Sequence, residues 1–133
     1  MEKKFYREYL DLLHWYRILV PKTKEAENDL YDGDFFDVNN DCIKEEFDYM
    51  EFHEDTFCFL ESRLFDFINV ELDIIINMYE DEVINNDQLS KAHEITKRMI
   101  LNSDDEKFIK LAEEFQSLIE KAQEYGTVVG LYF

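Results

Sequence analysis

The sequence predicts an all-α fold, a single-domain bundle of about five helices spanning residues 1–133. The stretch Leu60–Glu82 is apolar over most of a helical circumference, and its polar residues recur at steps of three or four. No Gly or Pro occurs from Asp34 to Tyr125, which favours helices joined by short polar turns. A hydrophobic fraction of 46% over 133 residues is enough to bury one core without disulfides or a structural metal.

Leu60–Glu82 predicts a central helix, from about residue 57 to 83, around which the rest of the bundle packs. A helix that is apolar nearly all round belongs in the middle of a bundle. Asp55 and Thr56 mark its start, since either side chain can cap the first turn. A continuous helix from Asp41 to Glu82 is the alternative. The apolar positions expected to be buried are Leu60, Leu64, Phe67, Ile68, Leu72, Ile74, Ile75, Met78 and Tyr79.

The N-terminal third predicts a first helix over Glu2–Leu19 that Pro21 ends. Residues 22–31 fit either a short polar helix or a loop. A link follows over residues 34–40, and Asp41 then caps a helix that runs to about His53.

The C-terminal third predicts a helical hairpin followed by an extended tail. Gln88–Leu101 has helical periodicity, and Ser103 with Glu106 matches a capping box that opens a long amphipathic helix. Gly126 ends that helix. Residues 127–133 are apolar and β-prone, so the tail either packs back on the bundle or forms an exposed adhesive end.

Two isolated cysteines, Cys42 and Cys58, indicate buried free thiols in a reducing compartment. The N-terminus has charges where a signal peptide needs an unbroken apolar run, and no run approaches the roughly 18 apolar residues of a transmembrane helix. The expected location is the cytoplasm.

The formal charge of -18 is concentrated in the middle of the chain. Residues 1–24 hold six basic and three acidic residues, residues 25–87 hold two and twenty-one, and residues 88–133 hold six and eight. So strong a negative field repels nucleic acid and anionic membranes and speeds encounter with basic proteins. The predicted partner is therefore a basic protein, with neither nucleic acid nor membrane binding.

An acidic strip is predicted on the outer side of the helix from Asp41 to His53. Its carboxylates recur every three or four residues, which gives a spacing of about 5 to 6 Å, close to that of phosphates along a nucleic acid strand. Two aromatic residues beside them fit the anchors that dominate interface energy. The alternative is a solvated face whose aromatic residues turn inward. The predicted partner-binding residues are Glu45, Asp48, Tyr49, Phe52 and Asp55, extended by Asp66, Asp73 and Glu80.

No residue pattern indicates catalysis or a cofactor. Glu71 falls on the apolar side of the predicted central helix, where an internal ion pair with Arg17 or Arg63 is expected. Asp11 and His14 have a metal-ligand spacing, but no second carboxylate–histidine pair accompanies them. No serine has a His–acid partner at a suggestive position, and three glycines exclude a glycine-rich phosphate loop. We therefore predict no catalytic residue, no metal and no cofactor.

The small size, the helicity, the acid block from Glu25 to Asp87 and the absence of a catalytic motif together resemble small acidic immunity proteins of bacterial nuclease toxins, of the contact-dependent growth inhibition or colicin type. The resemblance implies a cytosolic, non-enzymatic inhibitor that occludes the basic active site of a nuclease in a one-to-one complex. The alternatives are a phage-type nucleic acid mimic, a carboxylate-dependent metal hydrolase, and a scaffold protein that dimerises through its tail.

Overall fold

The computed structural model describes residues 16–32 and 45–132. These residues form a mixed α/β fold in which helices pack on a four-stranded antiparallel sheet, so the all-α prediction is wrong. Strands occupy residues 16–21, where the predicted first helix ends, and residues 47–52, which the predicted helix from Asp41 includes. Residues 1–15 and 33–44, including Asp11, His14 and Cys42, lie outside the described residues.

Four strands and five helices are described, together with a π-helical turn at Glu61–Phe65 and a 3-10 turn at Asn86–Gln88. The strands are β1 (Tyr16–Pro21), β2 (Phe47–Phe52), β3 (Glu82–Ile84) and β4 (Val129–Tyr132); the helices are α1 (Lys24–Asp32), α2 (Glu54–Leu60), α3 (Asp66–Leu72), α4 (Leu89–Leu101) and α5 (Glu106–Tyr125).

The sheet has the strand order β2-β1-β4-β3. In β1 and β2, Tyr16 lies opposite Phe52 and Ile18 lies opposite Met50. The C-terminal strand β4 pairs with β1 on one side and with β3 on the other. The C-terminal tail is therefore one of the two central strands of the sheet.

Both faces of the sheet are buried, which explains why its strands lack a simple alternation of apolar and polar residues. Even-numbered residues of β1 and β2 face the main core, and the odd-numbered Leu19 and Phe47 belong to a second cluster with Ala26 of α1. In FDYMEF of β2, apolar side chains are thus needed on both sides, and the spacing of Phe47 and Met50 imitates a helix.

The predicted central helix ends early. Its N-terminal part is correct: α2, the π-helical turn and α3 bury Leu60, Leu64 and Ile68. Asp73 then adopts a left-handed conformation with φ 55°, and the rest of the predicted helix is a loop followed by β3. The continuous helix from Asp41 to Glu82 is wrong for the same reason.

The loop after α3 is held to the helix by one side chain. The Asn69 amide nitrogen donates to the Ile76 carbonyl at 3.1 Å, and the Asn69 side-chain oxygen accepts from the Ile76 backbone nitrogen at 2.7 Å. Ile76 is buried at 1% exposure. An extended chain therefore runs beside α3 where the sequence pattern predicted more helix.

The α4–α5 hairpin confirms the predicted C-terminal helices. The buried face of α5 contains Phe108, Phe115 and Ile119, and the helix ends at Gly126 with φ 70°. The start differs in detail, because Asp105, and not Ser103, accepts from the backbone nitrogens of Lys107 and Phe108. Ser103 instead accepts from the backbone nitrogen of Asp105.

The tail is buried from Thr127 to Tyr132. The Thr127 hydroxyl donates to the Pro21 carbonyl at 2.6 Å, and a Cβ at Gly130 would lie 2.5 Å from the Tyr132 ring. Glycine at position 130 therefore lets the Tyr132 ring fold over the strand. Because β4 is covered on both edges and both faces, it is not the free adhesive end that tail-mediated dimerisation requires.

Two further expectations concern the thiol of Cys58 and membrane-spanning helices. Cys58 is exposed on α2, so the prediction that this thiol is buried is wrong. None of the helices formed by residues 16–32 and 45–132 combines the length and apolar character needed to cross a membrane.

Candidate interaction surface

The described part of the acid block has an almost uniform charge. Residues 45–90 contain fourteen acidic residues and a single lysine or arginine, Arg63. Ten of these carboxylates are exposed. Most of the excess negative charge in this part of the sequence therefore lies on the surface.

The predicted acidic strip is not a single helical face, because residues 47–52 form strand β2. Asp48 and Tyr49 are consecutive in this strand, so their side chains point to opposite faces of the sheet. Glu45 and Asp55 are exposed, but they lie beyond opposite ends of a strand about 20 Å long. The imitation of a phosphate backbone by adjacent helical carboxylates therefore does not apply here.

Asp48 makes a contact within the fold. Its Oδ2 accepts a hydrogen bond of 2.7 Å from the Tyr125 hydroxyl of α5. This hydrogen bond, followed by burial and by the negative charge of Asp48, raises the pKa of Tyr125 to about 12. Asp48 thus ties an edge strand of the described sheet to the C-terminal end of α5.

The two aromatic residues of the strip are packed inside the molecule. Phe52 is only 5% exposed and meets the Tyr16 ring edge-on, with the ring centroids 6.3 Å apart. Tyr49 is half-buried against the second core cluster. The inward arrangement of aromatic residues, which the sequence left as the alternative, is the one found.

The remaining predicted residues, Asp66, Asp73 and Glu80, are all exposed. Asp66 begins α3 and Asp73 ends it. The backbone nitrogens of Tyr79 and Glu80 both donate to the side-chain oxygen of Asn77, at 2.7 and 3.1 Å. These three acids belong to one continuous part of the chain, from α3 to β3.

The same part of the chain exposes large apolar side chains that the sequence predicted to be buried. Phe67 is 43% exposed, Ile75 59% and Tyr79 86%, and Val70 between them is 81% exposed. Phe67 and Val70 are three residues apart on α3 and therefore share one helix face. They are exposed because α3 packs through the side that carries Ile68, which leaves the face with Phe67 and Val70 in solvent.

The loop after α3 turns back beside the helix. Asn69 of α3 bonds the backbone nitrogen and carbonyl oxygen of Ile76, and the Glu82 carboxylate accepts from the backbone nitrogen of Ile75. Tyr79, farther along this loop, is 86% exposed.

Glu71 connects this acidic region to α4. Its carboxylate pairs with Arg98 and, at 3.8 Å, with Lys91, while its side chain is 29% exposed. An ion pair is present, but the predicted partners are wrong: Arg17 pairs with Glu51 at 3.1 Å, and Arg63 lies over the Phe59 ring at 4.1 Å.

Histidine, cysteine and acidic side chains are the groups that bind metal ions in proteins. Within residues 16–28 and 45–132, no three His, Cys, Asp or Glu side chains come together in an arrangement that would hold a metal ion. His93 lies 3.0 Å from Glu120 in an open groove between α4 and α5, where it makes a cross-helix contact.

Comparisons with protein-family models, with curated proteins and with solved structures found no match to this chain.

Proposed function

We propose that this chain is a non-enzymatic inhibitor that binds a basic protein and covers its functional site, the partner being a nuclease domain of the toxin class. The observation that carries the proposal is the set of ten exposed carboxylates over residues 45–90, where Arg63 is the single lysine or arginine. It is the function of an immunity protein, proposed here on the basis of charge.

The charge distribution supports a protein partner. Self-repulsion among unbalanced carboxylates destabilises a compact chain, so their concentration in one region has a cost that a binding role would offset. A nuclease must hold polyanionic substrate and therefore presents a basic cleft. Complementary potentials steer two such surfaces together and raise the association rate, with a strong dependence on ionic strength.

Inhibition in this proposal is steric. The acidic surface occupies the cleft that phosphates would enter, and no bond in the nuclease or in the inhibitor is made or broken. The exposed predicted residues Glu45, Asp55, Asp66, Asp73 and Glu80 supply the charge. Asp48, which accepts from Tyr125, and Phe52, which is buried, contribute through the fold.

The test uses the full chain against a panel of purified basic nuclease domains, with nuclease activity and association rate measured at low and high ionic strength. We expect at least one domain to be inhibited in a one-to-one complex, with association slowed by salt. Reversal of Asp66, Asp73 and Glu80 to Lys should slow that association. A matched reversal of Glu113, Glu114 and Glu124, three exposed acids on α5, should leave it nearly unchanged. Inhibition that is insensitive to both salt and the first reversal would contradict the proposal.

A further inference from the structure

The region from α3 to β3 carries apolar side chains that nothing in the described structure covers. In residues 16–28 and 45–132, the large hydrophobic residues that are exposed are Phe67, Val70, Ile75, Tyr79 and Leu101. All but Leu101 fall within thirteen consecutive residues. We call the group Phe67, Val70, Ile75 and Tyr79 the α3–β3 surface.

The α3–β3 surface is held in place by hydrogen bonds between side chains and the backbone. Asn69 bonds both the nitrogen and the carbonyl oxygen of Ile76, and the Glu82 carboxylate accepts from the backbone nitrogens of Ile75 and Val83 at 3.0 and 2.9 Å. Because Ile76 points into the core and extended residues alternate, the Ile75 side chain is directed outward. The exposure of these side chains is a property of the folded structure.

The segment of the chain that carries the α3–β3 surface has charged residues of one sign only. Residues 64–90 contain seven acids and no lysine or arginine, and Asp66, Asp73, Glu80 and Asp87 are exposed among them. Glu71, at the border with α4, already pairs with Arg98 and Lys91. Apolar anchors surrounded by polar groups are the arrangement in which a few residues supply most of the binding energy.

We propose that the α3–β3 surface is the docking site for the basic partner, which inserts apolar side chains between its own lysine and arginine residues. The inference rests on the proposed function and moves its contact from Tyr49 and Phe52, which pack inside, to Phe67, Val70, Ile75 and Tyr79. A second copy of this chain is the wrong occupant, because apposing two such surfaces would bring like charges together.

Charge and apolar contact have separate roles at this site. The carboxylates act at a distance and set how fast the partner arrives, whereas the apolar side chains act on contact and set how slowly it leaves. Loss of the apolar residues should therefore raise the dissociation rate, and loss of the acids should lower the association rate.

The experiment uses the full chain and a synthetic amphipathic peptide of lysine and leucine at helical spacing. The variant carries Phe67→Ser, Val70→Ser, Ile75→Ser and Tyr79→Ser. Its matched control is Leu101→Ser, which removes an exposed apolar side chain from the charge-balanced α4–α5 hairpin. Urea unfolding of each variant checks that the fold is retained.

We expect the peptide to bind the unmodified chain and the Leu101→Ser control equally, and to bind the fourfold variant about tenfold more weakly or worse. Amide shift changes in the unmodified chain should concentrate between Phe67 and Asp81. A lysine-only peptide should bind more weakly than the amphipathic one. Equal affinity for the fourfold variant, or equal binding of the lysine-only peptide, would overturn the docking site.

Three further outcomes distinguish a failure of the docking site from a failure of the proposed function. Self-association of the unmodified chain that the fourfold variant abolishes would assign the surface to a second copy, which overturns the proposal. Peptide binding without inhibition of any nuclease would refute the proposed function and leave the docking site standing. If the fourfold variant inhibits a nuclease as fully as the unmodified chain does, the docking site is refuted and the proposed function stands.

Discussion

The α4–α5 hairpin and the region from α3 to β3 use their apolar and charged residues in opposite ways. In the hairpin, residues 89–125, eight acids are offset by six bases, and Leu101 is the exposed large hydrophobic residue. Residues 64–90 contain seven acids and no lysine or arginine, and the four side chains of the α3–β3 surface are exposed. Apart from Leu101, the hairpin keeps its large apolar side chains buried or half-buried, whereas the other region leaves four of them exposed among acids.

The means of holding the backbone differ as well. The hairpin is held to the rest of the core by apolar side chains, with Phe115 meeting Phe65 of the π-helical turn at 5.8 Å between ring centroids. The segment after α3 is fixed by polar side chains, Asn69, Asn77 and Glu82, that bond the backbone directly. Such bonds leave apolar side chains free to face solvent.

The largest expected effect is the loss of a core ring from the hairpin. Phe115→Ala empties a fully buried site and should lower the free energy of unfolding by about 3 to 5 kcal/mol. The matched truncation Val70→Ala on the α3–β3 surface should change it by less than about 0.5 kcal/mol, because Val70 is 81% exposed. Urea unfolding measures both. A cost for Val70→Ala close to that of Phe115→Ala would show that both regions are equally packed.

The second-largest effect concerns the hydrogen bonds that hold the backbone of the region from α3 to β3. Asn69→Ala removes both bonds to Ile76 and leaves two backbone groups without these partners, at a cost of about 2 kcal/mol. Amide hydrogen exchange should quicken from Ile74 to Glu80 and stay unchanged in α5. Asn102→Ala, at an exposed position after α4, is the control and should have little effect. Uniform quickening throughout the molecule would mean that Asn69 supports the global fold instead of this segment.

A smaller effect concerns the hydrogen bond from Tyr125, at the end of the hairpin, to Asp48 of β2. The pKa of Tyr125 is raised from 10.0 to about 12, so this contribution to stability is complete below pH 10 and is lost as the pH rises through about 12. Tyr125→Phe should therefore be less stable than the unmodified protein by about 1 kcal/mol at neutral pH, with the difference closing at alkaline pH.

Ultraviolet titration of the tyrosines checks whether the hydrogen bond to Asp48 raises the pKa of Tyr125. One tyrosine should titrate near pH 12 in the unmodified protein, and Asp48→Asn should bring its pKa down toward 10. A stability difference between Tyr125→Phe and the unmodified protein that stays constant from pH 10 to 12 would refute the role of this hydrogen bond.

The hairpin could be predicted from the sequence because its signals are local. The helical spacing of Phe108, Phe115 and Ile119 needs one buried face, and Gly126 supplies the left-handed end. The acidic character of the middle of the chain was also evident, since charge depends only on composition.

The strands could not be predicted, because they are buried on both faces. In β2, Tyr49 serves one apolar cluster while Met50 and Phe52 serve the other, so the period of two that identifies a half-buried strand is absent. Strand β1 pairs with β2 and β4, which are distant from it along the chain, and no local sequence pattern predicts such pairing.

The placement of the candidate site was missed for a related reason. The apolar run from Leu60 to Tyr79 reads as a helix buried all round, but its second half is a helix end, an extended segment and a turn. The bonds from Asn69 to Ile76 depend on the chain having already turned back. In the sequence, Asn69 is one of several polar residues at helical spacing, and nothing distinguishes it as a residue that bonds the backbone of a following segment.

The smallest expected effect compares the ends of the two helices. Gly126 ends α5 with φ 70°, and a Cβ there would meet no atom within 4 Å, so Gly126→Ala should cost about 1 kcal/mol through backbone strain alone. Asp73 ends α3 with φ 55°, where a side chain is already strained, and Asp73→Gly should stabilise the protein by about 0.5 kcal/mol. The gain is smaller because aspartate tolerates this conformation better than alanine does.

Thermal and urea unfolding of the two variants measure whether each substitution raises or lowers the free energy of unfolding. Asp73→Asn, which keeps the shape and removes the charge, separates backbone strain from electrostatics. If Asp73→Gly destabilises the protein while Asp73→Asn does not, the aspartate side chain itself ends α3. In that event, the turn that exposes Ile75 and Tyr79 depends on an interaction of this side chain, and relief of backbone strain is the lesser effect.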